Sequence, residues 1–259
     1  MKFKRELELA RELSLQAGCL ALEYFHRGVV SEDKPDDSPV TIADREAERF
    51  VVAGLDRTFP EDGLLGEEGA ERTAANGRRW IIDPVDGTRD FVRGNRLWSS
   101  FLALEVDGVV QLGVCTFPAL DEQYFALRGA GAFRVYRGEE RQIQVSKIDR
   151  LERAVACVNG MNGPMRRWGD AQVLDFLSRF WAVRSMGGAL DAMLVCSGSA
   201  EFWIENSAKP WDLAPLQVIA QEAGARFFDH QGLDTIYGGS ALICAPPFEP
   251  AAREFLGIA

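Results

Sequence analysis

The stretch WIIDPVDGTRDFVRG, residues 80–94, organises the reading of the whole chain. Ile81 and Ile82 continue an apolar run, so the segment begins as a buried strand. Pro84 biases Asp83 toward extended backbone and is expected to end the strand there. Gly87 lets the chain turn sharply and leaves N–H groups bare, which suits an anion. Asp83 and Asp86 stand three residues apart around that turn. Two origins fit such a pair. One is an ordinary Asp-Pro/Asp-Gly loop with solvated acids; the other is a site where repelling carboxylates converge on a cation. Residues far along the chain decide between them.

With 259 residues, the chain can bury a large core as one large or two small domains. A net charge of −10 argues against a nucleic-acid surface. It does not argue against a phosphorylated substrate, because a bound cation inverts the local field. Five scattered cysteines form no C-x-x-C pair, which fits small core residues in a reduced, cytoplasmic setting. No apolar run approaches the length of a membrane span, and no secretory leader is apparent.

Taken in order, helical spacing predicts a first helix over residues 4–25. SEDKPDDSP, residues 31–39, reads as an exposed loop. Thr41 and Asp44 then make a capping box, with Asp for the usual Glu, before a helix reaching Thr58. LLGEEGAE, residues 64–71, places Glu67 and Glu68 in a glycine-flanked turn, and residues 72–78 read as a polar loop. Residues 99–106 and 109–117 flank Asp107-Gly108, a hairpin signal, and residues 123–127, 128–136 and 138–146 continue an antiparallel meander. From about residue 153, strands and helices alternate, which argues α/β. A helix over residues 212–223 starts at Asp212, for which an N-cap role is the ordinary explanation, carries Pro215 in its first turn and is followed by Gly224.

Acids thus stand in separate places: Glu67, Asp83 with Asp86, and Asp212. GEE, WIIDPVDGTRDF and WDLAPLQVIAQEAGA, in that order and at these separations, resemble the inositol monophosphatase superfamily of magnesium-dependent, lithium-sensitive phosphomonoesterases. PVTIADREAE, RGAGAF and RSMGGAL extend the resemblance over nearly the whole chain. It implies a layered αβαβα sandwich of the sugar-phosphatase type. Residues 1–150 would form an α+β domain with an antiparallel sheet and most metal ligands, and residues 151–259 a smaller α/β domain completing the active site.

Carried over by position, the resemblance implies two to three Mg²⁺ ions. Glu67, Asp83 and the Val85 carbonyl would hold a first, and Asp83, Asp86 and Asp212 a second. Glu67 would also serve a looser third. Asp44 and Thr88 would position and deprotonate the attacking water that the metals activate. Gly87 and Thr88 would offer N–H groups to the phosphate. Gly187, Gly188 and Ala189 would border the leaving group, and Glu205 would contact its polar groups. The donor chemistry agrees independently. Every candidate ligand is an oxygen, as magnesium prefers, and no Cys/His cluster suggests zinc. A G-x-S-x-G elbow is absent, and His26 and His230 sit outside any motif, so a serine-hydrolase reading is poor.

WIIDPVDGTRDFVRG and QVSKIDRLERAV look most similar to the histidinol-phosphate phosphatase branch of histidine biosynthesis. Histidinol phosphate is therefore the first expected substrate and inositol-1-phosphate the second. Arg93 is a candidate phosphate or carboxylate contact. Gly187-Gly188-Ala189 departs from both the Gly-Gly-Asp of the first branch and the Gly-Thr-Ala of the second, with Asp191 two positions beyond. The expected partners are a small phosphorylated metabolite and a second copy of the chain, with neither nucleic acid nor membrane. A rival of another class is a regulatory binding protein that keeps the phosphatase fold; the complete acid set opposes it.

Overall fold

A computed structural model describes residues 2–28, 30–33 and 39–258. The helices among them are α1 (Lys4–Arg27), α2 (Ile42–Thr58), α3 (Thr88–Val92), α4 (Asn162–Trp168), α5 (Asp170–Ser178), α6 (Gly188–Cys196), α7 (Pro210–Glu222) and α8 (Glu249–Leu256). The first strands are β1 (Glu32–Asp33), β2 (Pro39–Val40), β3 (Gly63–Gly66), β4 (Glu71–Arg72) and β5 (Arg78–Asp86). The hairpin and meander supply β6 (Ser99–Val106), β7 (Val109–Phe117), β8 (Glu122–Leu127), β9 (Gly131–Tyr136) and β10 (Glu139–Ile143). The remainder are β11 (Val155–Asn159), β12 (Ala182–Arg184), β13 (Phe202–Glu205), β14 (Arg226–Phe228) and β15 (Ala241–Cys244).

Strands β3–β10 form an eight-stranded sheet in the order β10-β9-β8-β7-β6-β5-β3-β4, antiparallel except where β3 runs parallel to β5. Strands β11–β15 form a five-stranded mixed sheet in the order β12-β11-β13-β15-β14. Alternation along the strands sorts side chains into layers. Trp80, Ile82, Leu102 and Leu104 pack with α1 and α2 on one face of the large sheet. Ile81, Phe101 and Ala103 point the other way, onto α6 and α7. Those helices also cover Cys157, Trp203 and Ile243 of the small sheet. Its opposite face, including Ala156, Phe202 and Leu242, packs on α5 and α8, with α4 at the margin. The result is the αβαβα sandwich. One apolar cluster draws on residues before and after position 150.

The middle layer is tight. A Cβ added at Gly113 of β7 would lie 2.6 Å from the Cα of Pro215 on α7, so only glycine admits the helix at that distance. Pro215 itself sits in the second turn of α7, because the helix starts at Pro210 rather than at Asp212.

The strand over Asp83 does not end at Pro84. β5 runs on to Asp86, with a shift of register against β6 between Asp83 and Asp86. A bulge there takes Pro84, which has no N–H to donate, out of the ladder. The loop expected over residues 72–78 is shorter, since Arg72 ends β4 and Arg78 begins β5. The loop expected over residues 31–39 lies mostly outside the described residues; its flanks, β1 and β2, pair antiparallel. Helices α3 and α4 had no counterpart in the sequence reading.

Candidate active site

Three routes of chain bring acids to one end of the middle layer. Asp83 and Asp86 come from the bulged end of β5. Asp212 comes from the first turn of α7. Glu67 follows β3, and its N–H donates to the Ile82 carbonyl at 3.1 Å, which fixes the turn beside Asp83. Asp83, Asp86 and Asp212 each offer a carboxylate oxygen within 4.8 Å of the others. Such convergence is costly without a cation. Burial, then the charges of Glu67, Asp86 and Asp212, push Asp83 well above the usual carboxylate range. Asp86 is pushed the same way by burial and by Asp212, against a bond from Ser99 Oγ at 3.0 Å. Burial raises Asp212 to about 7, although its Oδ2 accepts from Lys209 N at 2.7 Å. Asp212 is therefore the third residue of α7, bonded back to the N-cap, and not the N-cap itself. Clustered oxygen donors with no nitrogen or sulfur among them suit a hard divalent cation.

Thr88 stands beside this cluster. Gly87 has φ +86°, a left-handed conformation that glycine adopts without strain, and it swings the chain from β5 into α3. That turn places the Thr88 hydroxyl 3.2 Å from both Asp44 Oδ1 and the Val85 carbonyl. Asp44 is fixed from behind. Its Oδ2 accepts from Thr41 N at 2.8 Å and from Thr41 Oγ1 at 2.5 Å, the capping box expected at the start of α2. Burial raises the Asp44 carboxyl above its ordinary range, with the Thr41 bonds opposing.

A cleft of about 300 Å³ opens over these groups. Glu67, Asp86, Gly87, Thr88 and Asp212 line one side, and Gly188, Ala189 and Glu205 the other. Glu205 is raised by burial, against bonds from Ser207 N and Asn159. Gly187 is the N-cap of α6 and is not part of the lining. Arg93 is exposed at the end of α3 and outside the lining, whereas Arg89 of the same helix lies in it. Glu68 faces another hollow, with Arg49 and Asp56 of α2. Asp191 does not reach the cleft. Fully buried, it accepts from Met186 N at 2.9 Å and Gly187 N at 3.3 Å and so holds the turn into α6.

Sequence reasoning passed over Asn159, Arg89 and Glu48. Asn159 lies two residues after Cys157, a core residue of the middle layer, so strand alternation alone turns it inward. Glu48, buried in α2, accepts from Glu68 N at 2.9 Å and Ala70 N at 2.8 Å and shapes the turn that carries Glu67. It sits four residues after Asp44 on one helix face, a spacing that could have flagged it.

Comparison with known proteins supplies the family. The model of the inositol monophosphatase family matches residues 4–256. A histidinol-phosphatase of Chlorobaculum parvum is 42% identical over 241 residues, covering 93% of this chain and 92% of that protein. A histidinol-phosphatase of Mycobacterium tuberculosis is 39% identical over 212 residues, 82% of each. The solved structure of a Thermotoga maritima IMPase superposes with a TM-score of 0.86 at 29% identity, covering 98% of this chain and 97% of that one. A family match over almost the full length, an acid cluster between two sheets and a capped Asp44 beside Thr88 lead to one conclusion: the chain belongs to the inositol monophosphatase family and is a phosphomonoesterase.

Proposed function

We propose that the protein hydrolyses histidinol phosphate to histidinol and phosphate, with Mg²⁺ as its cofactor. The observation that carries the chemistry is the meeting of Asp83, Asp86 and Asp212 within 4.8 Å, beside the Thr88–Asp44 hydrogen bond. The identity to two histidinol-phosphatases supports the substrate.

Glu67, Asp83, Asp86, Asp212 and the Val85 carbonyl are the groups that would hold two to three ions. When bound, Mg²⁺ supplies positive charge to the phosphate oxygens and lowers the pKa of water. The chain's own residues do the rest. Thr88 Oγ can accept a proton from the attacking water while its single hydrogen passes to Asp44. Burial raises the Asp44 carboxyl and so favours its keeping that proton, and Thr41 holds it in place. The N–H groups of Gly87 and Thr88 face the phosphate, and Arg89 at the rim adds charge. Water oxygen bonds to phosphorus, the ester P–O bond breaks, and the departing alkoxide takes a proton from solvent water and leaves as the alcohol past Gly188 and Ala189, with Glu205 at its polar end. In this reading residues 1–150 carry the metal and water machinery, and residues 151–259 complete the cleft.

The further reading is a lithium-sensitive homodimer in the cytoplasm. Five unpaired cysteines, four of them buried, support a reducing compartment. None of the helices among the described residues is long and apolar enough to cross a membrane. The test is a panel assay with Mg²⁺ comparing histidinol phosphate, inositol-1-phosphate, adenosine 3′,5′-bisphosphate and fructose-1,6-bisphosphate. Histidinol phosphate should have the highest kcat/KM. A higher value for any other ester overturns the substrate, and no turnover of any of them overturns the chemistry.

A further inference from the structure

Asn159 and Glu205 end neighbouring parallel strands and lie opposite each other in register. Alternation with Cys157 and Trp203 turns both into the middle layer, where both line the cleft. Neither belongs to the three-acid cluster. A carboxylate only accepts hydrogen bonds, so the Asn159 amide must face Glu205 with its nitrogen, and Nδ2 donates to Glu205 Oε2. Ser207 N donates to Oε1 at 3.0 Å, so the carboxylate is gripped from two sides. The orientation of the amide then leaves Asn159 Oδ1 at its other end, and among the described residues no donor meets it. The far wall of the cleft thus offers a ligand the Asn159 carbonyl oxygen and the Glu205 carboxylate, with the second Asn159 N–H and Ser207 beside them. Among the described residues the one basic side chain in the lining, Arg89, sits next to Thr88 at the phosphate end.

A largely buried carboxylate held this way gains most from a ligand that brings positive charge and N–H donors. A neutral polyol can donate to the same oxygens, but it leaves the charge unbalanced. We propose that Asn159 is a specificity-determining residue, its carbonyl oxygen and the Glu205 carboxylate together forming a subsite that selects phosphomonoesters whose alcohol half carries a protonated amine. The proposal rests on the histidinol phosphate reading and names the residues that impose it.

The test is steady-state kinetics with histidinol phosphate and with the analogue in which a hydroxyl replaces the amine. Wild type, Asn159→Ala, Glu205→Gln and the double variant are compared. The wild-type preference for the amine ester, as a ratio of kcat/KM values, should be about tenfold or more, as a charge-assisted hydrogen bond allows. Each single substitution should cut that ratio about tenfold, with the loss on the amine ester chiefly in KM. The double variant should lose little beyond the worse single, because the two residues act as one unit. A wild-type preference that survives both substitutions, or losses that simply add, overturns the subsite and leaves the substrate reading standing. A wild-type ratio near one overturns the subsite as well, whereas the substrate reading falls only if another ester of the panel has the higher kcat/KM. Glu205→Gln is nearly isosteric, so the test survives if Asn159→Ala fails to fold.

Discussion

Asp44 and Asp212 occupy the same local position and do different work. Each is the third residue of its helix, and each uses Oδ2 to accept from the backbone N–H of its own N-cap residue. At α2 the cap is complete: Thr41 adds a hydroxyl to the same oxygen, and Ala43 N donates back to Thr41 at 3.1 Å. At α7 the N-cap is Lys209, whose side chain has no oxygen to offer the helix, so the aspartate caps alone. The remaining oxygen of Asp44 meets a neutral hydroxyl, Thr88. Asp212 instead faces other acids, Asp83 and Asp86. A helix start therefore supplies rigid aim in both cases, and the group it aims at decides the role. Opposite a hydroxyl the acid suits proton transfer; opposite its own kind it suits a cation.

The largest expected effect separates those roles. Asp44→Asn keeps an oxygen for the Thr41 N–H but loses the proton acceptor, so kcat should fall about 10²–10⁴-fold with little change in the Mg²⁺ concentration that half-activates the enzyme. Asp212→Asn also keeps its cap, yet removes a charge from the cluster. There the half-activating Mg²⁺ concentration should rise more than about 100-fold, beyond what partners one step removed from a metal cost. Calorimetric Mg²⁺ titration of both variants gives the comparison without relying on activity. Equal loss of Mg²⁺ affinity in the two would show that both acids do one job.

These roles were partly legible in the chain because local chemistry marks them. Thr41 and Asp44 announce a capping box, and Asp107-Gly108 announces a hairpin whose observed strands, Ser99–Val106 and Val109–Phe117, match the expected ones. What local signals could not carry was position relative to other strands. Pro84 reads as a strand end unless the bulge against β6 is known. Asp212 reads as an N-cap because Lys209 and Pro210 look like linker, though Pro at the first helical position is common. Asn159 is one polar residue at the end of a strand; only the adjacent Glu205, 46 residues away, gives it a purpose. Arg89 of α3 and Arg93, which caps that helix, are four apart, and no pattern in the sequence says which one reaches the cleft.

That arginine pair tests how far the charge arrangement around Thr88 extends. Arg89 lines the cleft and Arg93 does not. Arg89→Ala should raise KM about tenfold, the order expected for one charged contact to phosphate at a solvent-exposed rim. Arg93→Ala should stay within about twofold, as surface substitutions usually do. A larger effect at Arg93 would mean that the phosphate end of the cleft is built differently from the arrangement Asp44 and Thr88 define.

The smallest effect lies away from the site, yet it governs how the two aspartates can be compared across pH. His230 is buried on the far side of the small sheet, 5.0 Å from the Trp168 ring, and among the described residues neither ring nitrogen has a hydrogen-bond partner of good geometry. Burial, with Arg167 nearby, lowers its pKa from 6.5 to about 4. The unfolded chain therefore takes up a proton that the folded one refuses between those values. The stability this group contributes is complete above pH 6.5 and is lost as pH falls toward 4. With allowance for partial solvent contact, the loss is at most about 2 kcal/mol. Urea unfolding of wild type and His230→Phe at pH 7 and pH 4.5 should show a smaller acid loss in the variant. Equal losses would assign the acid sensitivity to other groups. If the difference appears, the acid limb of an activity profile contains a folding contribution, and only His230→Phe as the background isolates the titration that distinguishes Asp44 from Asp212.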